Sequence, residues 1–153
     1  MANLNGGTID ISTGNDFTGS FAAPSDATVI SALTTLVVAA IDGTTNAAAA
    51  AAKVKTALAL DASVTITSYD PIAEASKTTT NDAARLVAIK AQSATIQVNN
   101  IMDVAVSVAQ AASATSNTAQ VVEHVAESLL AQAGAGTVNL ASSAVIALSL
   151  IHI

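Results

Sequence analysis

Apolar and polar positions follow two rhythms along this chain, and the change of rhythm divides it. Over residues 8–22 the period is two: Ile9 and Ile11 share one face of a strand, and Phe17 and Phe21 share a face of the next. Thr13-Gly14-Asn15-Asp16 supplies turn chemistry between them, so the pattern predicts a β-hairpin. Two strands alone are marginal in water, and this ribbon must pack on the helices downstream or complete a β-domain upstream. A third short strand is expected over residues 28–30, after the Pro24-Ser25-Asp26 turn.

From Ser31 onward the period lengthens. Ser31 is a good N-cap, and Leu33, Leu36, Val37 and Ala40 form one helical stripe that stops before Asp42-Gly43. Asn46 caps a second helix expected over residues 47–60, with Val54, Leu58 and neighbouring alanines as its apolar face and Lys53 and Lys55 pointing elsewhere. Residues 64–68 read as an extended link. Asp70-Pro71 then opens a third helix, with proline at the first helical position, where its missing N–H costs nothing.

The longest helix is expected over residues 81–113, which hold no proline or glycine. Val87, Ala91, Ala94, Val98, Ile101, Ala105, Val108 and Ala112 recur there at steps of four and three, a coiled-coil seam of small residues. Thr115-Ser116-Asn117 caps a partner helix in which Ala119, Val122, Ala126, Leu129 and Ala133 repeat the rhythm up to Gly134. The short connection makes the two antiparallel neighbours. Either this partner covers the seam or a helix of another chain does. Residues 137–140 read as a brief extended link, and Ala141 starts another apolar helix.

The fold class expected is mainly α: a small antiparallel helical bundle with a short N-terminal β-hairpin. Residues 1–30 form the β segment, the possible end of a preceding β-domain, and residues 31–147 the helical domain. Residues 148–153, Leu-Ser-Leu-Ile-His-Ile, resemble one reading frame of the transposon mosaic end used in sequencing-library adapters, which implies a non-native tail on a truncated metagenomic reading frame.

Composition sharpens this picture. Hydrophobic residues make up 52% of the chain but aromatics only 2%, so alanine and valine must supply the core and helices must approach closely to bury enough area. Without cysteine there are no disulfides and no thiolate metal sites. A net charge of −6, with Lys53, Lys55, Lys77, Arg85 and Lys90 scattered, argues against nucleic acid and anionic membrane surfaces as partners. No apolar run reaches the ~20 residues of a membrane span. Residues 1–13 lack the basic start and apolar stretch of a signal peptide, so any export signal is expected elsewhere.

Candidate chemistry is sparse. His124 stands between Glu123 and Glu127, but a metal needs a third convergent ligand and no HExxH spacing exists. Asp10, Ser12, Gly14 and Asp16 alternate through the hairpin turn and offer oxygens to calcium; the same residues equally build a turn through side-chain bonds to the backbone. Asp70 and Glu74 lie four apart, which the favourable field of a helix N-terminus explains. Gly134-Ala135-Gly136 lacks the lysine of a phosphate loop, and no GxSxG elbow is present. No catalytic, cofactor or metal residue is assigned.

Three segments taken in order carry a resemblance. Phe17-Thr18-Gly19-Ser20-Phe21-Ala22-Ala23-Pro24, then Leu33-Thr34-Thr35-Leu36, then Asp70-Pro71-Ile72 resemble a helical "PLTTL…DPI" module of large modular bacterial secreted and cell-surface proteins, adhesin-like and hemolysin-type calcium-binding chains among them. Ala32 stands where that pattern has proline. The resemblance implies a non-enzymatic structural or adhesive module of a longer extracellular protein, with calcium bound in neighbouring repeats and neighbouring domains as partners. The alternative is a freestanding helical domain that oligomerises through the seam of residues 87–112.

Overall fold

The computed structural model describes residues 2–5, 20–79, 81–113, 117–134 and 136–142. Among them five helices surround one core: α1 (Ala32–Ala39), α2 (Ala47–Ala57), α3 (Pro71–Ser76), α4 (Asp82–Ala112) and α5 (Thr118–Ala133). Two strands, β1 (Ala2–Asn5) and β2 (Ser20–Ala23), pair antiparallel with Asn3 opposite Ala22 and Leu4 opposite Phe21. The chain is mainly helical, as its periodicity predicts.

Every helix begins on a short polar side chain that accepts a bond from its first turn. Ser31 serves α1, Asn46 α2, Asp70 α3, Asn81 α4 and Asn117 α5. Each satisfies backbone N–H groups that have no partner inside the helix. At α1 the cap is reciprocal: Thr34 N–H donates to Ser31 Oγ at 3.3 Å, and Ser31 N–H donates to Thr34 Oγ1 at 2.8 Å. Ala32 is the first residue of this helix, the position that tolerates proline.

α1 occupies the centre, packed by β2, α2, α4 and α5. Six successive residues, Ala32 to Val37, are buried. A helix enclosed on all sides has no polar face, so the expected stripe of Leu33, Leu36 and Val37 is only part of its buried surface. Thr34 and Thr35 go inside as well, because their hydroxyls are spent locally. Thr35 Oγ1 accepts from the Ala22 N–H at 3.0 Å and lies 3.0 Å from the Ser31 carbonyl and 3.3 Å from that of Ala22. Ala22 thus turns both backbone groups toward α1, and the helix ties down the edge of β2 that lies away from β1.

The structure departs from the sequence expectations at several places. The strand paired with β2 is β1; Ile9, Ile11, Phe17 and the Thr13-Gly14-Asn15-Asp16 turn lie outside the described residues. Residues 28–30 form no strand, since Thr28 and Val29 both donate to the single carbonyl of Thr67, at 2.9 and 3.2 Å, rather than to a ladder. That carbonyl belongs to a run of turns which replaces the expected extended link and drives Val64 and Ile66 into the core. The start expected for a last helix at Ala141 is a turn in which Asn139 accepts from Ala141 N–H; its continuation lies outside the described residues.

α2 stops at Ala57, three residues before the expected end. Leu60 N–H donates to the Lys55 carbonyl at 3.0 Å and Ala59 N–H to that of Thr56 at 3.1 Å, a Schellman arrangement. It requires a left-handed residue, and Ala59 adopts φ 50°. An alanine there carries strain that glycine lacks. Ala59→Gly is expected to stabilise the chain by about 0.5–1 kcal/mol, seen as a higher urea midpoint with unchanged slope; a lower midpoint contradicts the strain argument.

The turn after α1 is held by Asp42. Its Oδ1 accepts from the Thr44 hydroxyl at 2.7 Å and from the N–H groups of Thr44 and Thr45 at 2.7 and 2.8 Å. These bonds, with the Thr44 hydroxyl foremost, lower the Asp42 pKa to about 2. The carboxylate therefore holds the turn fully above its ordinary range near 3.8 and releases it as pH falls toward about 2.

Candidate functional site

Large apolar side chains lie on two sides of α4. The inner stripe is buried: Ala91, Val98, Ile101, Met102, Ala105 and Ala109 belong to the core shared with α1, α2 and α5, and Ala88 and Ala94 are buried beside them. The middle of the expected seam is thus where the spacing puts it, and the chain's own helices cover it. Its ends differ: Val87 is only partly buried, while Val108 and Ala112 are exposed and Ala109 is buried instead. A straight helix of 3.6 residues per turn drifts about 20° per heptad against a 3.5 repeat, so after three heptads the neighbouring position faces the core.

α5 departs in the opposite sense. Val121, Val125 and Leu130 are buried in addition to Val122, Ala126, Leu129 and Ala133, whereas Ala119 is exposed. Packing against α4 on one side and α1, α2 and β2 on another widens its buried arc beyond a two-position seam.

The outer stripe of α4 comprises Leu86, Ile89, Ile96, Val104 and Val108, each between 45% and 55% exposed. α3 lies beside its first half. Asp70 fixes the start of α3 by accepting from Ile72 N–H at 3.0 Å and Ala73 N–H at 2.9 Å. Between the two helices runs an open groove of about 700 Å³, walled by Pro71, Ile72 and Ala75 on α3 and by Ile89, Gln92 and Ile96 on α4. Among the described residues no charged side chain lines it. Near α3, Glu74 pairs with Lys77, a bond that raises the Lys77 ammonium pKa, and burial pushes the Tyr69 phenol up. Charge therefore sits off the groove, whose largely aliphatic walls, with Ser76, Ser93 and Gln97 among them, suit contact with another apolar surface.

The other candidates do not converge. His124 is exposed on α5 with Nδ1 3.5 Å from a Glu127 oxygen. Glu123 and Glu127 stand beside a hollow of about 330 Å³ between β2, α1 and α5, but among the described residues no three His, Cys, Asp or Glu side chains come together. Asp10 and Asp16, the calcium candidates, lie outside the described residues, as does His152. Asp70 is used as a cap and Glu74 as the partner of Lys77. Gly134 ends α5 at φ 54°, its N–H shared between the carbonyls of Ala131 and Leu130.

Sequence reasoning missed the outer stripe. The signal was present: Leu86 and Val104 are eighteen residues apart, about five turns, and so share one line along the helix. A single seam expected on α4 hid a second one on its far side. No described helix is long and apolar enough to cross a membrane. Comparison with protein-family models, with curated proteins and with solved structures finds no match to this chain.

Proposed function

We propose that the chain is a non-enzymatic structural or adhesive module of a larger bacterial surface protein and that it works through contact with other protein surfaces. The outer face of α4, with the groove beside it, carries this reading: Ile72, Ile89 and Ile96 stand half-exposed in the wall of the groove, and Leu86, Val104 and Val108 are half-exposed elsewhere along the helix. Half-exposed large aliphatic side chains beside an apolar groove support a contact surface. Placement outside the cell rests on the resemblance of the Phe17 to Pro24, Leu33 to Leu36 and Asp70 to Ile72 segments. Calcium, in this reading, belongs to neighbouring repeats.

The test is labelling of intact bacteria that produce the full-length protein, using antibody raised against this chain. Labelling without permeabilisation, abolished by external protease, is the expected result. Signal that emerges only after permeabilisation overturns the surface assignment.

A further inference from the structure

Of the described helices, α3 alone has no buried residue. Its six residues are too few to hold a helix in water, so α3 depends on what it packs against. Among the described helices and strands it touches only α4. The chain leading into it is well held: Tyr69 N–H donates to the Thr65 carbonyl at 2.8 Å, and the Thr67 carbonyl accepts from Thr28 and Val29. That hold ends at Tyr69. Asp70 is exposed, and so are residues 77–79 beyond the helix.

The docked position of α3 closes off a space. A hollow of about 80 Å³ is walled by Leu33, Val64, Ile66 and Ala91, and Pro71 and Gln92 line both this hollow and the open groove. The first residue of α3 therefore stands between the two. Swinging α3 outward removes that wall and joins hollow and groove into one cleft, floored by Leu33, Val64 and Ile66, each at most 5% exposed while α3 is docked.

We propose that α3 is a lid: it lifts from α4 about hinges at Asp70 and at residues 77–79 while the rest of the fold stays closed, and its lifting opens an apolar cleft that reaches the core. Segments that open locally in this way are those with few buried contacts. The groove beside α4 is the closed form of that cleft, and the cleft itself belongs to a minor state. The motion is a property of the chain alone, so it stands or falls apart from the surface assignment.

Because the chain has no cysteine, one introduced thiol reports one position. Ala91→Cys places it in the hollow, and Val125→Cys, at a residue 0% exposed on α5, reports opening of the whole core. Toward a water-soluble thiol reagent without denaturant, the Ala91→Cys thiol is expected to react on the order of a hundredfold faster than that of Val125→Cys. Adding Asp70→Ala, which strips the cap bonds to the Ile72 and Ala73 N–H groups, quickens the first about fivefold and leaves the second within about twofold. Hydrogen exchange of the unsubstituted chain reads the same motion with no change to the core. Amides of residues 74–76 are expected to exchange on the order of a hundredfold faster than those of residues 98–105, at a rate that urea barely alters, whereas the α4 rate climbs with urea. Equal reactivity of the two thiols, an Ala91→Cys thiol indifferent to Asp70→Ala, or α3 amides that share the urea dependence of α4 overturns the lid.

Discussion

Leu129→Ala is expected to remove about 3–5 kcal/mol of stability, the upper part of the range for such truncations, and to lower Tm by about 10 °C. Leu129 is 1% exposed and is among the largest side chains fully enclosed by the core. The buried residues of α4 and α5 include Ala91, Ala94, Ala105, Ala109, Ala126 and Ala133. An alanine has no rotamer to swing into a void, so a core of this composition relaxes little around a lost isobutyl group, and the penalty grows with the cavity that remains. Leu86→Ala, at a residue 52% exposed, is the control and is expected to cost under about 1 kcal/mol. Chemical denaturation of dilute protein separates the two. A loss below about 1.5 kcal/mol at Leu129 means the alanine-rich core collapses onto the gap after all.

What could be read in the sequence and what could not divide along a physical line. Interactions that span one helical turn were legible. Ser31, Asn46, Asp70 and Asn117 stand as caps in the structure as expected, because a cap is a bond between a side chain and a backbone two or three residues ahead. The thirty-one residues of α4 fall within the expected span of residues 81–113, and Asn81, its first expected residue, is the N-cap. Features set by distant segments were not legible. Thr34 and Thr35 look polar in the chain but lie in the core, since Ser31 and Ala22 absorb their hydrogen bonds. Residues 28–30 look like a strand, yet strands need a ladder, and among the described residues Thr28 and Val29 share one carbonyl on a turn.

The candidate site obeys the same division. The inner seam was legible in its middle, where a 3.5 and a 3.6 repeat still coincide, and failed at its ends, where they part. The outer face carries five large apolar residues on a helix already supplied with a core-facing stripe. A helix needs only one such stripe to hold a fold together. The outer residues stay about half exposed even though α3 lies beside the first half of α4, and that exposed apolar surface is the physical content of the contact reading. The absence of aromatic residues from both stripes leaves the outer face with aliphatic anchors only, which fits a weak interface better than a tight one.

Thr35→Val is expected to cost about 2–3 kcal/mol despite its near-identical shape, and Thr35→Ser to recover most of the loss. The hydroxyl accepts from Ala22 N–H and donates its single proton to the carbonyl of Ser31 or of Ala22. Valine fills the same space but leaves the Ala22 N–H facing a methyl group next to a residue only 5% exposed. A donor stranded in that way costs about 1–3 kcal/mol, and the hold of α1 on β2 goes with it. Serine keeps the oxygen and gives up one methyl, about 0.8 kcal/mol of burial. Two readouts distinguish this account from a general loss of packing. Amide exchange at Ala22 quickens in Thr35→Val and not in Thr35→Ser, while exchange in the middle of α4 tracks global stability alone in both. If valine matches the parent in stability, or if serine is the worse of the two, the hydroxyl does not fasten β2 to the central helix. The ribbon must then be held by the apolar packing of Phe21 and Ala23 against the core.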